Sequence, residues 1–164
     1  ADTNLAPSQR TIDLAWVLHL VGDIHQPLHC SARVTPTEPE GDRGGNLFKL
    51  DSNYTLHGYW DNLVSLTYVR NADESEQDYI ERISRAIMAR YPLAALTARL
   101  HMGDFEAWAK EGYQISKTKV YPATLQREKA PSENYRQEAY RLAEAAIALA
   151  GYRMAKMLEQ LFGS

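Results

Sequence analysis

The chain has 164 residues, 45% of them hydrophobic and 24% charged, which is the balance of an ordinary globular domain with one core of its own. No apolar run is long enough to cross a bilayer, and the single cysteine, Cys30, excludes an intrachain disulfide scaffold. A formal charge of −3 argues against a broad basic patch for duplex nucleic acid, so any bound phosphate would need positive charge from metal ions.

Ala1 to Gln9 show no signal-peptide layout, and an N-terminus set by processing or truncation is expected. Ser8 to Leu28 carries Ile12, Leu14, Ala15, Val17, Leu18 and Val21 at helical spacing, which predicts a buried helix capped by Ser8 and closed near Pro27. Ser31 to Asn46 holds two prolines and three glycines among charges and reads as a long loop, a common place for function. Leu47 to Leu50 and Tyr54 to Leu56, split by Asp51-Ser52-Asn53, suggest a short hairpin, and a second helix starts near Leu56 and runs toward Tyr68.

A third helix is expected over Ser75 to Arg90, with Tyr79, Ile80, Ile83, Ile87 and Met88 inward and Tyr91-Pro92 as its stop. Asp104 to Val120 forms a fourth, stopped by Tyr121-Pro122. Ser132 to Leu161 forms the last, with Tyr135, Ala139, Leu142, Ala146, Leu149, Met157 and Leu161 on one face. Five helices and almost no strand predict an all-α domain spanning 1–164.

Four of the five histidines lie between positions 19 and 57, interleaved with aspartates. His19 and Asp23 are four apart on a predicted helix, which puts imidazole and carboxylate on one face; His57 and Asp61 repeat the spacing. His29 follows Pro27, where the helix must bend or end, so its ring can turn toward the same region. A lone pair of this kind is more often a helix-surface contact. Two pairs, a third histidine and an intervening Gly-rich loop favour a metal site, and three imidazoles with two carboxylates and no thiolate suit catalytic zinc.

The segments His19-Leu20-Val21-Gly22-Asp23-Ile24-His25-Gln26-Pro27-Leu28-His29, Gly44-Gly45-Asn46 and Leu56-His57-Gly58-Tyr59-Trp60-Asp61, in that order, resemble the motif series of S1/P1 nucleases, which share the fold of zinc-dependent phospholipase C. Trp108 to Glu111, Val120-Tyr121 and Ala150 to Ala155 also resemble that family's C-terminal helices, so the likeness covers nearly the whole chain. It implies that His29, His57 and Asp61 ligate one zinc, and that His19 and Asp23 ligate a second, with Asp23 catalytic and bridging to a third. The family's other ligands come from a segment upstream of Ala1, so this chain resembles a C-terminal portion.

The implied activity is hydrolysis of single-stranded DNA and RNA to 5′-mononucleotides, with 3′-nucleotidase action, in a secreted or periplasmic protein and without a membrane partner. A phospholipase C, or a metal-binding fragment inactive alone, are the competing readings.

Asn46 closes a tight turn and is the candidate for a substrate oxygen. His25 is expected on the surface or behind the ligands, because a helix turns it about 200° from Asp23. Trp16 and Trp60 are expected in the core, Cys30 as a small buried thiol, and Arg33, Arg43 and Lys49 as solvated loop charges.

Overall fold

The computed structural model describes residues 4–51 and 53–163, and among these the chain is all-α, with six α-helices and no strand. They are α1 (Pro7–Asp23), α2 (Leu56–Thr67), α3 (Glu76–Arg90), α4 (Leu93–Leu96), α5 (Phe105–Ile115) and α6 (Glu133–Phe162). Thr55, Ser75, Asp104 and Ser132 each accept the amide three residues on, which fixes the starts of α2, α3, α5 and α6 and contributes about 1 kcal/mol apiece. α1 starts differently from expectation. Pro7 stands in its first turn, and no side chain caps it, so Ser8 lies inside the helix.

α1 also ends earlier than the apolar pattern implies. A residue before proline is pushed out of the helical region, and Gln26 is extended, with φ −83° and ψ 117°. The helix therefore stops at Asp23, and Pro27–Cys30 forms a separate 3-10 turn whose first free amide, Leu28 N–H, donates to Gln26 Oε1. The fourth expected helix is likewise divided, since α5 passes into a π-turn over Ser116–Val120. α4 is a short helix that the sequence pattern missed.

The expected hairpin survives as one antiparallel bridge between Lys49 and Thr55, flanked by Leu50 N–H to Tyr54 O and Leu56 N–H to Phe48 O. Ser52 of its turn lies outside the described residues.

α6 is the spine, with α1, α2 and α3 packed on it. One core cluster joins Leu28, Leu50, Leu56, Trp60 and Leu63 to Tyr135 and Ala139; a second joins Ile83, Ile87, Leu96 and Leu100 to Ala148 and Leu149. Glu144, fully buried on α6, takes hydroxyls from Tyr68 and Tyr140 and pairs with Arg90, so its charge is compensated.

Several inward assignments are corrected. Trp16 is 57% exposed, whereas Trp60 is 4% exposed and donates its indole N–H to Tyr135. Ile80, Met88 and Leu161 are also exposed, because helices packed on one side bury a narrower stripe than their apolar content suggests.

Tyr135 links these layers, since its hydroxyl accepts from Trp60 and donates to Val120 O at 2.9 Å. Tyr135→Phe leaves two buried polar groups unpaired. It is expected to lower stability by roughly 1–3 kcal/mol in urea unfolding followed by tryptophan fluorescence; an unchanged midpoint would contradict this linkage.

Candidate metal centre

The three turns around Pro27, Gly44 and Thr55 deliver the site. Pro27 redirects the chain so that His29 faces back toward α1 and α2, and Thr55 starts α2 two residues before His57. On α2, His57 and Asp61 are one turn apart, with Nε2 to Oδ2 at 3.5 Å. His29 Nε2 lies 3.6 Å from Asp61 Oδ1, and the two imidazoles stack with centroids 5.0 Å apart. Ligand atoms of His29, His57 and Asp61 all fall within 4.8 Å of one another, a group that could hold a metal ion.

These spacings have a chemical meaning. At 3.5 and 3.6 Å the nitrogen and oxygen atoms are too far apart for good hydrogen bonds. Two ligands of one tetrahedral ion with bonds of about 2.1 Å stand about 3.4 Å apart. These two imidazole–carboxylate distances are therefore compatible with donors that share an ion.

Neighbouring groups fix the orientation of each ligand. His57 Nδ1 lies 2.8 Å from Gly44 O; since a carbonyl only accepts, Nδ1 carries the hydrogen and Nε2 is left with its lone pair toward Asp61. Gln26 Nε2 donates to Asp61 Oδ1 at 2.9 Å while its Oε1 holds the Leu28 amide, so one side chain ties the 3-10 turn to α2. Gln26 was legible as part of a motif but not as a support. Its position before proline, between two histidines, was the available signal.

His19 and Asp23 form a second, thinner group. His19 Nε2 is 3.2 Å from Asp23 Oδ2, and Asp23 Oδ1 is 3.5 Å from His29 Nδ1, so Asp23 stands between the two groups. The His19 side chain is 61% exposed, and among the described residues it meets one carboxylate, that of Asp23.

Asn46 closes its turn through Nδ2 to Arg43 O and is exposed. Arg33 is not a solvated charge: it pairs with Glu38 and lies over the rings of Phe48 and Tyr121.

Of the two placements expected for His25, the surface one is overturned. The residue is 8% exposed, with Nδ1 at 2.7 Å from Val21 O and Nε2 at 2.7 Å from Arg153 NH1. Burial pulls its pKa down to about 4, opposed by the Val21 carbonyl and reinforced by the Arg153 charge. Cys30 is half-buried, its thiol held to Ile24 O and pushed up in pKa by burial.

A groove of about 470 Å³ opens beside His29 and Asp61, floored by Ala143, Ala146, Ala150 and Gly151 of α6. A second, of about 770 Å³, runs along the other side of α1 past Leu20, Phe105 and Met157 to Asp23.

A family model described as S1/P1 Nuclease matches residues 1–163. The chain belongs to the S1/P1 nuclease family. No curated protein and no solved structure matches it. The membership makes this a nuclease-family chain, and its all-α architecture and His/His/Asp group agree with a metal-dependent nuclease.

Gly44 sits at φ +62°, and a Cβ there would lie 2.6 Å from Leu28 O. Gly44→Ala therefore combines backbone strain with a clash against the very turn that carries His29. We expect about 2 kcal/mol or more of destabilisation in urea unfolding; wild-type stability would show the loop to be placed otherwise.

Proposed function

We propose that the chain carries one zinc site, His29, His57 and Asp61, and part of a second, His19 and Asp23, of a centre that hydrolyses single-stranded DNA and RNA to 5′-mononucleotides, with 3′-nucleotidase action. The observation that supports it most is the convergence of these three donors within 4.8 Å of one another, with His57 Nε2 freed by the Gly44 carbonyl. Nitrogen and carboxylate ligands without thiolate match catalytic zinc. Bound zinc would supply the positive charge that this acidic chain lacks and acidify water for attack on phosphorus.

The chain's own residues divide the remaining work. Asp23, bordering both groups, is assigned the catalytic part, because its two carboxylate oxygens face different groups. Gln26 and Gly44 keep Asp61 and His57 in place, so their orientation does not have to be established on substrate entry. Asn46, exposed beside the Gly44-Gly45 turn, is the candidate for a substrate oxygen. Strand preference follows from a recessed centre beside an apolar groove, which an unpaired base can enter and a paired base can enter only after unpairing.

The second group needs further ligands, because a catalytic zinc usually has three from protein. α1 carries Ile12, Trp16, Leu18 and Leu20 exposed around it, which supports completion by an upstream segment of the same protein that covers this helix. The placement proposed is secreted or periplasmic. Among the described residues no helix is long and apolar enough to cross a membrane.

Zinc content by mass spectrometry comes first. Asp61→Asn should lower bound zinc by about one ion per chain, while His101→Ala, remote from the site, should not; equal losses would defeat the assignment. Cleavage of single-stranded DNA should exceed that of phosphatidylcholine, should stop with chelator, and should be slow in the isolated chain. Full activity from a homogeneous 164-residue chain would remove the upstream segment from the proposal.

Acid supplies an independent check, since protons compete with metal for imidazole nitrogen. Zinc retention and hydrolysis should fall together as pH drops from about 7 toward about 4. Zinc that stayed bound while activity vanished would point to a catalytic group instead.

A further inference from the structure

Arg153 presents a physical problem of its own. It is a guanidinium on α6 with no solvent exposure, and burying such a charge costs several kcal/mol unless its donors are met. They are met from three directions. Nε donates to Leu100 O at 3.0 Å, and NH2 donates to Arg99 O and to Glu111 Oε1, which brings in the α4–α5 connection and α5. The guanidinium also lies over the Trp108 ring at 4.7 Å. NH1 donates one of its hydrogens to His25 Nε2 at 2.7 Å.

This last contact is the informative one. Arginine cannot accept, so His25 Nε2 must accept and Nδ1–H must donate to Val21 O; the ring is fixed in one tautomer and one orientation. His25 lies two residues beyond Asp23 and four before His29, in the bend between α1 and the 3-10 turn. Both of its bonds end on rigid elements, one in the last turn of α1 and the other on the spine helix.

Resting on the metal-centre reading above, we propose that His25 and Arg153 are positioning residues for that centre, clamping the bend so that Asp23 and His29 stay at their observed separation. Neither is counted among the ligands, although His25 borders the groove beside them. The clamp acts on the end of α1 that bears ligands, whereas Glu144, an equally buried charge on the same helix, serves α2 and α3 and reaches no ligand. Glu144 is therefore the control for burial alone.

The test is zinc affinity, measured by competition with a chromophoric chelator on the full chain, with folded fraction followed by circular dichroism. His25→Leu keeps bulk but removes the acceptor, and His25→Gln restores an acceptor near the Nε2 position. H25L should weaken zinc binding on the order of 10–100-fold, the range for lost supporting bonds around a metal, with stoichiometry unchanged. H25Q should stay within a few fold of the unaltered chain, and E144Q should leave affinity unchanged even where it lowers the melting temperature as much as H25L.

Wild-type affinity in folded H25L, or an equal loss in E144Q, would overturn the positioning role. If H25L does not fold, H25Q decides: near-normal affinity supports the clamp, and a loss as large as that of Asp61→Asn overturns it. Absence of zinc binding by the unaltered chain would overturn the metal-centre reading itself, and this inference with it.

Discussion

The structure depends most on the refusal of Gln26 to be helical before Pro27. Had α1 continued, His29 would stand about 9 Å farther along the axis than Asp23 and about 240° around it, out of reach of both aspartates. Ending the helix at Asp23 and restarting as a 3-10 turn brings His29 Nδ1 to 3.5 Å from Asp23 and Nε2 to 3.6 Å from Asp61. One steric rule about proline thus converts a linear motif into a three-dimensional donor set. The same bend frees Gln26, whose side chain caps the new turn and holds Asp61.

The His29, His57 and Asp61 group is held in place by the fold's own hydrogen bonds. Half-exposed imidazole–carboxylate pairs contribute little by themselves, so their mutual attraction cannot be what sets the geometry. The setting comes from uncharged or buried supports: the Gly44 carbonyl on His57, the Gln26 amide on Asp61, and the Asp42 carboxylate that takes the Arg33 amide and the Tyr121 hydroxyl to hold the glycine loop. Organisation of this kind would lower the ordering cost of binding a ligand there.

Much of this was legible because it is local. All four side-chain-capped α-helices begin where the sequence places them, and i, i+4 spacing put His57 beside Asp61 without knowledge of the fold. What escaped was set by distant packing. His25 reads as a residue on the surface or behind the ligands, and the bend and Arg153, 128 positions away, decide for the buried alternative. An arginine inside the otherwise uncharged stretch from Ala145 to Ala155 was the signal for that partner. Trp16 failed in the other direction, since residue type predicts the core only where another element covers the side chain.

The two ends of α1 differ in support, and this bears on how the second group works. Asp23 lies at the end held by Val21, His25 and α6, whereas His19, one turn back, lies where the helix is open and only Val21 is fully buried. The more exposed donor of this pair thus sits on the less supported turn. Under the proposed completion by an upstream segment, covering Trp16, Leu18 and Leu20 and supplying further ligands would be a single event. Apolar burial would then stabilise the turn that carries His19, and metal binding there would in turn stabilise the docked segment. By linkage, each must raise the other's affinity by the same factor. The first site needs no such coupling, because its three donors are already held by the bend, the glycine loop and α2.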